Sequence, residues 1–443
     1  METKEQELKN AFAQGSVAST TDILLKLLYL GSGIIVARSL GAEGKGIYSL
    51  ITTFVGLGSI VGLIGINFAH VYLLSSRRYS LELIVKDALF FTAINSTIII
   101  LIAYLTYPLV GLDKIVGVEY FPFIAVMIVC FIFDAHVSAI LLGQERIARL
   151  RLLSLVIPTI TVIALMGILF YPRVDKDGIS YLVVALALST VAGSLVYVHQ
   201  LFSLTERPIV PGVNRRLMKD SITYGLKNWA GNLFSQLTYR LDYFLVQILA
   251  STAQLGYYSV AVSISQTLLF IPGAFSSILL PKFARYEKSY ASAAAATAIR
   301  HTLALSLFLA VTFAILGHLI IRFLYGAQFL PASTPLLILL PGVLAMSLAG
   351  IALNYFAGRN RPEIPSYILL GGLILNTSLD FCLIPRLGIV GASIASTIAY
   401  TSIAIVSLCL FRKDTSIGLF KMFILRPNDI SRLWHILRKR EVL

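Results

Sequence analysis

The chain is 443 residues long, 57% apolar and only 13% charged, with a formal net charge of +14 and a mean hydropathy of +0.83. Soluble domains carry about 25% charged residues, so this balance excludes a soluble globular protein and points to a lipid environment. There a backbone satisfies its own hydrogen bonds only as helices or a closed barrel, and the absence of period-2 alternation selects helices.

The opening METKEQELKNAFAQG mixes acids and lysines before any apolar run. A cleavable signal peptide does not look like this, so the first span is expected to stay in the protein as its own insertion signal. Apolar segments then run over 15–38, 47–74, 83–109, 120–142, 152–171, 179–204, 221–250, 255–281, 298–324, 332–356, 364–384 and 388–411. Each is long enough for a hydrocarbon core of about 30 Å. The expected fold is all-α and integral to the membrane, with twelve transmembrane helices.

Assigning the loops alternately to two sides gathers most of the 36 Lys and Arg on the side of the N-terminus. Arg38, Lys45, Lys114, Arg173, Lys176, Arg322 and Arg386 fall on the other, and Lys26, Lys227 and Arg240 fall inside spans. The positive-inside rule then places both termini in the cytoplasm. The charge is topological, so it argues for no nucleic-acid partner.

LGAEGKGIYSL at 40–50 is echoed by ASTAQLGYYSV at 250–260: Gly46, Tyr48 and Ser49 recur as Gly256, Tyr258 and Ser259, 210 residues on. The same shift pairs Gly15 with Gly225, Tyr29 with Tyr239 and Gly178 with Gly388. It carries the first span onto the seventh, which implies two six-helix halves related by an axis along the membrane normal. The expected organisation is an N-terminal bundle at 1–204, a charged cytoplasmic connector at 205–220, a C-terminal bundle at 221–413 and a basic tail at 414–443. In that tail Ile430, Leu433, Trp434 and Leu437 fall at i, i+3, i+4 and i+7, the pattern of an interfacial helix held against membrane lipids.

Ionised side chains inside a bilayer cost about 2.5–3.5 kcal/mol on insertion scales and are functional candidates by default. In the first span Asp22, Lys26, Tyr29 and Gly33 share one helical face. The seventh carries Asn228, Asn232, Gln236, Tyr239 or Arg240, and Tyr243 on the same template. The two stripes occupy equivalent places under the 210 shift, so they are expected to line a central polar cavity. Lys26 and Arg240, with Lys227 nearer the cytoplasm, would attract an anionic headgroup, Arg forking onto phosphate oxygens and Lys acting as a point charge. The competing reading is that Asp22 and Lys26 neutralise each other as an i,i+4 pair.

Asp134 with His136, and Asn376 with Asp380, are further intramembrane polar groups for either proton or cation coupling or structural bonding between helices. Asp22 and Asp242 join Asp134 and Asp380 as the acids available for coupling. His70, His199, His301 and His318 lie near span ends and form no metal set, and no other cofactor is implied. Pro158, Pro272-Gly273 and Pro341-Gly342 interrupt helical bonding and serve either as bending points or as static kinks. Cys130, Cys382 and Cys409 read as ordinary core residues. GSG at 31–33 lies inside a helix, no nucleophile context stands out, and the loops on the far side are short. A transporter fits better than an enzyme.

ARSLGAEGKGIYSL, FLYGAQFLPASTPLLILLPG and NTSLDFCLIPRLGIVGASIAST resemble the polysaccharide-transporter flippases of the multidrug/oligosaccharidyl-lipid/polysaccharide exporter superfamily, and the likeness covers nearly the whole chain. The resemblance implies two six-helix bundles around a cavity that opens alternately to the two sides of a bacterial inner membrane. It implies a substrate of the undecaprenyl-pyrophosphate-linked oligosaccharide type, with a polysaccharide polymerase and glycosyltransferases as partners. Lys26, Arg240 and Lys227 are the positions to carry over, with Tyr29, Asn232, Gln236 and Tyr239 beside them. The rival readings are a cation-coupled multidrug exporter of the same superfamily, a peptidoglycan lipid II flippase, a branch whose members typically have fourteen helices against the twelve expected here, and a membrane-embedded polysaccharide polymerase or ligase.

Overall fold

The computed structural model describes residues 2–167, 176–204, 214–418 and 422–424, and every regular element among them is helical. The chain runs through α1 (Glu2–Leu63), α2 (Ile66–Ser75), α3 (Leu81–Thr106), the short α4 (Leu112–Ile115), α5 (Phe121–Gly143), α6 (Ile147–Ser154), α7 (Val156–Met166) and α8 (Lys176–Leu204). It continues through α9 (Arg215–Leu249), α10 (Thr252–Ser265), α11 (Phe270–Arg285), α12 (Lys288–Leu324), α13 (Ser333–Gly358), α14 (Glu363–Leu387) and α15 (Ile389–Thr415).

Ten segments among the described residues are long and apolar enough to cross a membrane, and the difference from twelve arises at two places. Thr20–Leu63 is one stretch of 44 residues, about 66 Å of helix, or twice a hydrocarbon core. It holds the first predicted span and most of the second. Where the sequence suggests a loop, the helix bends at Gly41 (φ 65°, ψ −162°), a conformation open to glycine alone, and runs on. The second exception is α9, which matches the seventh predicted span but is too polar along its stripe to pass as an apolar helix.

Two compact units make up the chain, residues 1–233 and 234–443, and the division falls inside α9. In the first, α5 packs against α1, α2, α3 and α8. Ala69, Leu73, Ile84, Val85, Val137, Ile140 and Leu201 form a buried cluster there. In the second, α13 is the hub, packed by α10, α11, α12 and α15. Gly342 lets α13 approach the Thr397 backbone of α15 so closely that a Cβ would lie 2.6 Å from its Cα. Large apolar side chains such as Leu305, Phe308, Ile315 and Phe323 of α12 are exposed, as lipid-facing residues must be.

The prolines act locally. Pro158 cannot donate to the preceding turn, and the helix breaks at Leu155, dividing α6 from α7. Pro272 follows a 3-10 turn over Gln266–Leu269. Pro341 stays inside an unbroken α13. The cysteines correct an expectation: Cys382 and Cys409 are exposed and Cys130 is half-buried, so they face outward instead of filling a core. The amphipathic stretch Ile430–Leu437 and residues 205–213 of the connector lie outside the described residues.

Candidate functional site

The polar residues of the seventh predicted span all lie on α9. Asn232, Gln236, Tyr239 and Arg240 are half-buried and Lys227 is exposed, whereas the side chain of Asn228 lies outside the description. Lys227 and Asn232 belong to the first unit, and Gln236, Tyr239 and Arg240 to the second. Aromatic neighbours position the distal end: Tyr239 meets Tyr400 of α15 edge-on at 5.8 Å, and the Arg240 guanidinium lies 5.2 Å from the Tyr243 ring centre, a cation–π contact.

On α1, Lys26 is half-buried and Tyr29 is 58% exposed. Asp22 acts electrostatically on Lys26, as the neutralised-pair reading expects, and it has a second basic partner. Arg151 of α6 donates to its Oδ1 at 2.6 Å.

A second cluster lies in the unit formed by residues 234–443. Asp242 faces away from Arg240's ring contact, as their two-residue spacing requires, and accepts a bond from Tyr258 of α10. Tyr258 also bonds Ser396 of α15 at 3.2 Å. Asp242 lies close enough to Asp380 of α14 for its charge to act there. Both are buried, as is Asn376. Asp242 Oδ1, both carboxylate oxygens of Asp380 and the amide oxygen and nitrogen of Asn376 have no hydrogen-bond partner. An unpaired buried carboxylate is costly, so these groups are expensive where they stand.

The third cluster, in the first unit, is one that sequence reasoning missed. His70 of α2 places Nε2 3.0 Å from Asp87 Oδ2 of α3, and its Nδ1 lies 3.3 Å from Nδ1 of His136. Ser221 of α9 donates to Asp87 Oδ2 at 2.7 Å. Far from being interfacial, His70 is completely buried. The available signal was Asp87, an acid just inside a predicted span. Asp134 stands apart, bonded by Ser194 of α8 at 2.7 Å. Among the described residues no group of three or more His, Cys, Asp or Glu could hold a metal ion.

The profile of the family described as Polysaccharide biosynthesis protein matches residues 35–334. A putative O-antigen transporter of Shigella flexneri is 21% identical over 86% of this chain and 93% of its own length. An uncharacterized membrane protein of Methanocaldococcus jannaschii is 25% identical over 50% of this chain, a match spanning 44% of that relative. Among solved structures, the lipid II flippase MurJ in an inward closed conformation superposes with a TM-score of 0.72 at 16% identity, covering 96% of this chain and 93% of its own. An inward-facing multidrug resistance MATE family transporter of the MOP superfamily gives 0.70 at 17%, covering 88% and 94%. The Shigella relative is named as a putative transporter and the two solved structures as a flippase and a transporter, and the helical architecture is that of the solved structures. The chain is a multi-pass membrane transporter that belongs to the polysaccharide biosynthesis protein family.

Proposed function

We propose that the protein is a flippase for polyprenyl-pyrophosphate-linked oligosaccharide, working by alternating access in a bacterial inner membrane with both termini cytoplasmic. The observation that carries this reading is the stripe of α9. Its cation, amides and phenol lie half-buried along a helix that the membrane would otherwise require to be apolar, which suits a pyrophosphate and its sugars. Arg240 is the principal headgroup ligand, held over Tyr243 with its fork available to phosphate oxygens. Lys26 and Lys227 are the further cations, and Asn232, Gln236, Tyr29 and Tyr239 supply sugar contacts. The name of the Shigella relative supports the glycan, as does the family. A glycosyltransferase would supply the substrate and a polymerase consume it.

The drive is assigned to Asp242 and Asp380, which with Asn376 would hold a hard monovalent cation or a proton through oxygen ligands. Asp22 is committed to Arg151, which removes it from this role.

Purified protein in liposomes carrying a fluorescent polyprenyl-pyrophosphate oligosaccharide tests the assignment. Loss of a charged hydrogen bond is worth about 1.5–3 kcal/mol, so Arg240→Ala slows translocation about tenfold or more, with smaller losses for Lys26→Ala and Lys227→Ala. Wild-type rates in the triple variant, or export of a cationic dye with no movement of the glycolipid, would defeat the reading.

A further inference from the structure

We propose that the buried chain Ser221–Asp87–His70–His136 is a proton-binding site whose filling loosens the beginning of α9 from α3, within the first unit. This does not depend on the identity of the transported molecule.

The face of α9 that docks in this unit is defined residue by residue. Ser221, Gly225 and Trp229 fall at i, i+4 and i+8, on one side of the helix. Ser221 bonds Asp87. Gly225 lies against the backbone of Ile64 and Gly65, where α1 breaks into α2. Trp229 Nε1 donates to the Ile60 carbonyl at 2.9 Å, in the last turn before that break. Alongside, Tyr224 stacks on Tyr72 at 4.5 Å with the rings nearly parallel. Of these four attachments, only the bond to Asp87 depends on a charge.

Two proton arrangements satisfy these contacts, one with Asp87 ionised and one with it neutral. An ionised Asp87 accepts from Ser221 and from Nε2–H of His70. Nδ1 of His70 then presents a lone pair to His136, which fills it with its own Nδ1–H. Nε2 of His136 is left as a lone pair, buried and without a partner, and a further proton enters there. The chain of groups carries one negative charge without that proton and none with it. In an apolar surround the neutral state is the cheaper one.

Once the proton has bound, two transfers carry the charge to the carboxylate. The His136 Nδ1–H bond breaks as His70 Nδ1–H forms, and the His70 Nε2–H bond breaks as an Asp87 O–H forms. Each step moves one proton between heavy atoms already at hydrogen-bonding distance, 3.3 and 3.0 Å. A neutral carboxylic acid holds the Ser221 hydroxyl about half as strongly as a carboxylate does, so the attachment of α9 at Ser221 weakens.

The titratable neighbours have partners of their own. Asp134, on α5, is bonded by Ser194, and Tyr197 of α8 faces Asp134. On α9, Asp220 accepts from Tyr79 at 2.9 Å. Arg151 of α6 is committed to Asp22 of α1, and Lys86 precedes Asp87 on α3.

The test uses the full chain in lipid nanodiscs with labelled histidine, followed by NMR from about pH 5 to 8, the range in which imidazoles titrate. His70→Gln and His136→Asn assign the resonances. The chain has two tryptophans, so Trp434→Phe leaves Trp229 as the sole reporter on α9. The expected result is uptake of about one proton shared by His70 and His136, with Trp229 emission shifting over the same pH interval. Asp87→Asn, which keeps the shape, abolishes the emission step. Flat histidine shifts in the wild-type chain, the behaviour of a permanently neutral strut, overturn the proposal. Histidines that titrate while Trp229 stays unchanged overturn the coupling to α9.

Discussion

The hydroxyl of Tyr258 is bonded to the carboxylate of Asp242 at 2.5 Å, and 210 residues earlier Tyr48 and Ser32 occupy the corresponding positions, close enough for Ser32 to act on the Tyr48 phenol. The repeated turn thus does the same job in each half: it returns a tyrosine to the equivalent position of the preceding helix. What differs is the group it meets, a hydroxyl in one case and a carboxylate in the other.

Tyr258→Phe removes the donor from a buried carboxylate. The expected loss is about 1.5–3 kcal/mol, the range for a hydrogen bond to a charged group, read as a fall in thermal midpoint of the detergent-solubilised protein. Because the two residues share one interaction, adding Asp242→Asn costs less than the sum of the two single changes. Additive losses would mean that the bond contributes nothing.

The breaks that follow the two helices offer a second comparison. In the first half the chain turns at Gly41 (φ 65°), and in the second at Ser251, which is extended and caps α10 by accepting from the Gln254 N–H at 3.2 Å. The positions correspond under the 210 shift, yet the chemistry does not. Gly41→Ala forces a side chain into a glycine-only region and is expected to cost about 1–3 kcal/mol, whereas Ser251→Ala loses a cap worth about 1 kcal/mol. Thermal midpoints rank them, and a milder effect at Gly41 would show that α1 can straighten.

Legibility in the sequence followed the physics of each element. Apolar length revealed the spans, because a membrane demands it of every helix regardless of its neighbours. It could not reveal the continuity of α1 through Gly41, since glycine in LGAEGKG suits a loop and a kink equally. The stripe of α9 was readable because its residues share one helix and one period. The pairing of Asp22 with Arg151, 129 residues apart, and of Ser221 with Asp87, 134 apart, was not, because only tertiary packing brings them together. Asp242 and Asp380 were recognisable singly as expensive residues, but their proximity was not.

Asp22 and Arg151 are both substantially exposed, with 43% and 34% of their side chains accessible. Solvent screening limits such a pair to about 0–1 kcal/mol. Asp22→Asn is therefore expected to leave the thermal midpoint nearly unchanged and to weaken α6 against α1 only locally. Hydrogen exchange at the amides of Leu150–Leu153 gives the check, rising in the variant. A global loss of stability would place the pair in the core energetics after all.

The contact between Gly65 and Gly225 sets the sharpest expectation. Gly65 has φ 72°, and a Cβ there would lie 2.3 Å from the Gly225 carbonyl oxygen and 2.9 Å from Cβ of Trp229. Nothing flexible can yield, because the obstacle is backbone. Gly65→Ala must push α9 away from the end of α1, and the Trp229 bond to Ile60 goes with it. The left-handed conformation alone adds about 1 kcal/mol, so the variant is expected to be clearly destabilised and its Trp229 emission red-shifted. Gly31, in the middle of α1, has open space where a Cβ would go. There the change to alanine is expected to be neutral or to stabilise by about 0.5–1 kcal/mol, since glycine is the poorer helix former. Equal effects at the two glycines would mean that α9 is not seated on the α1–α2 break.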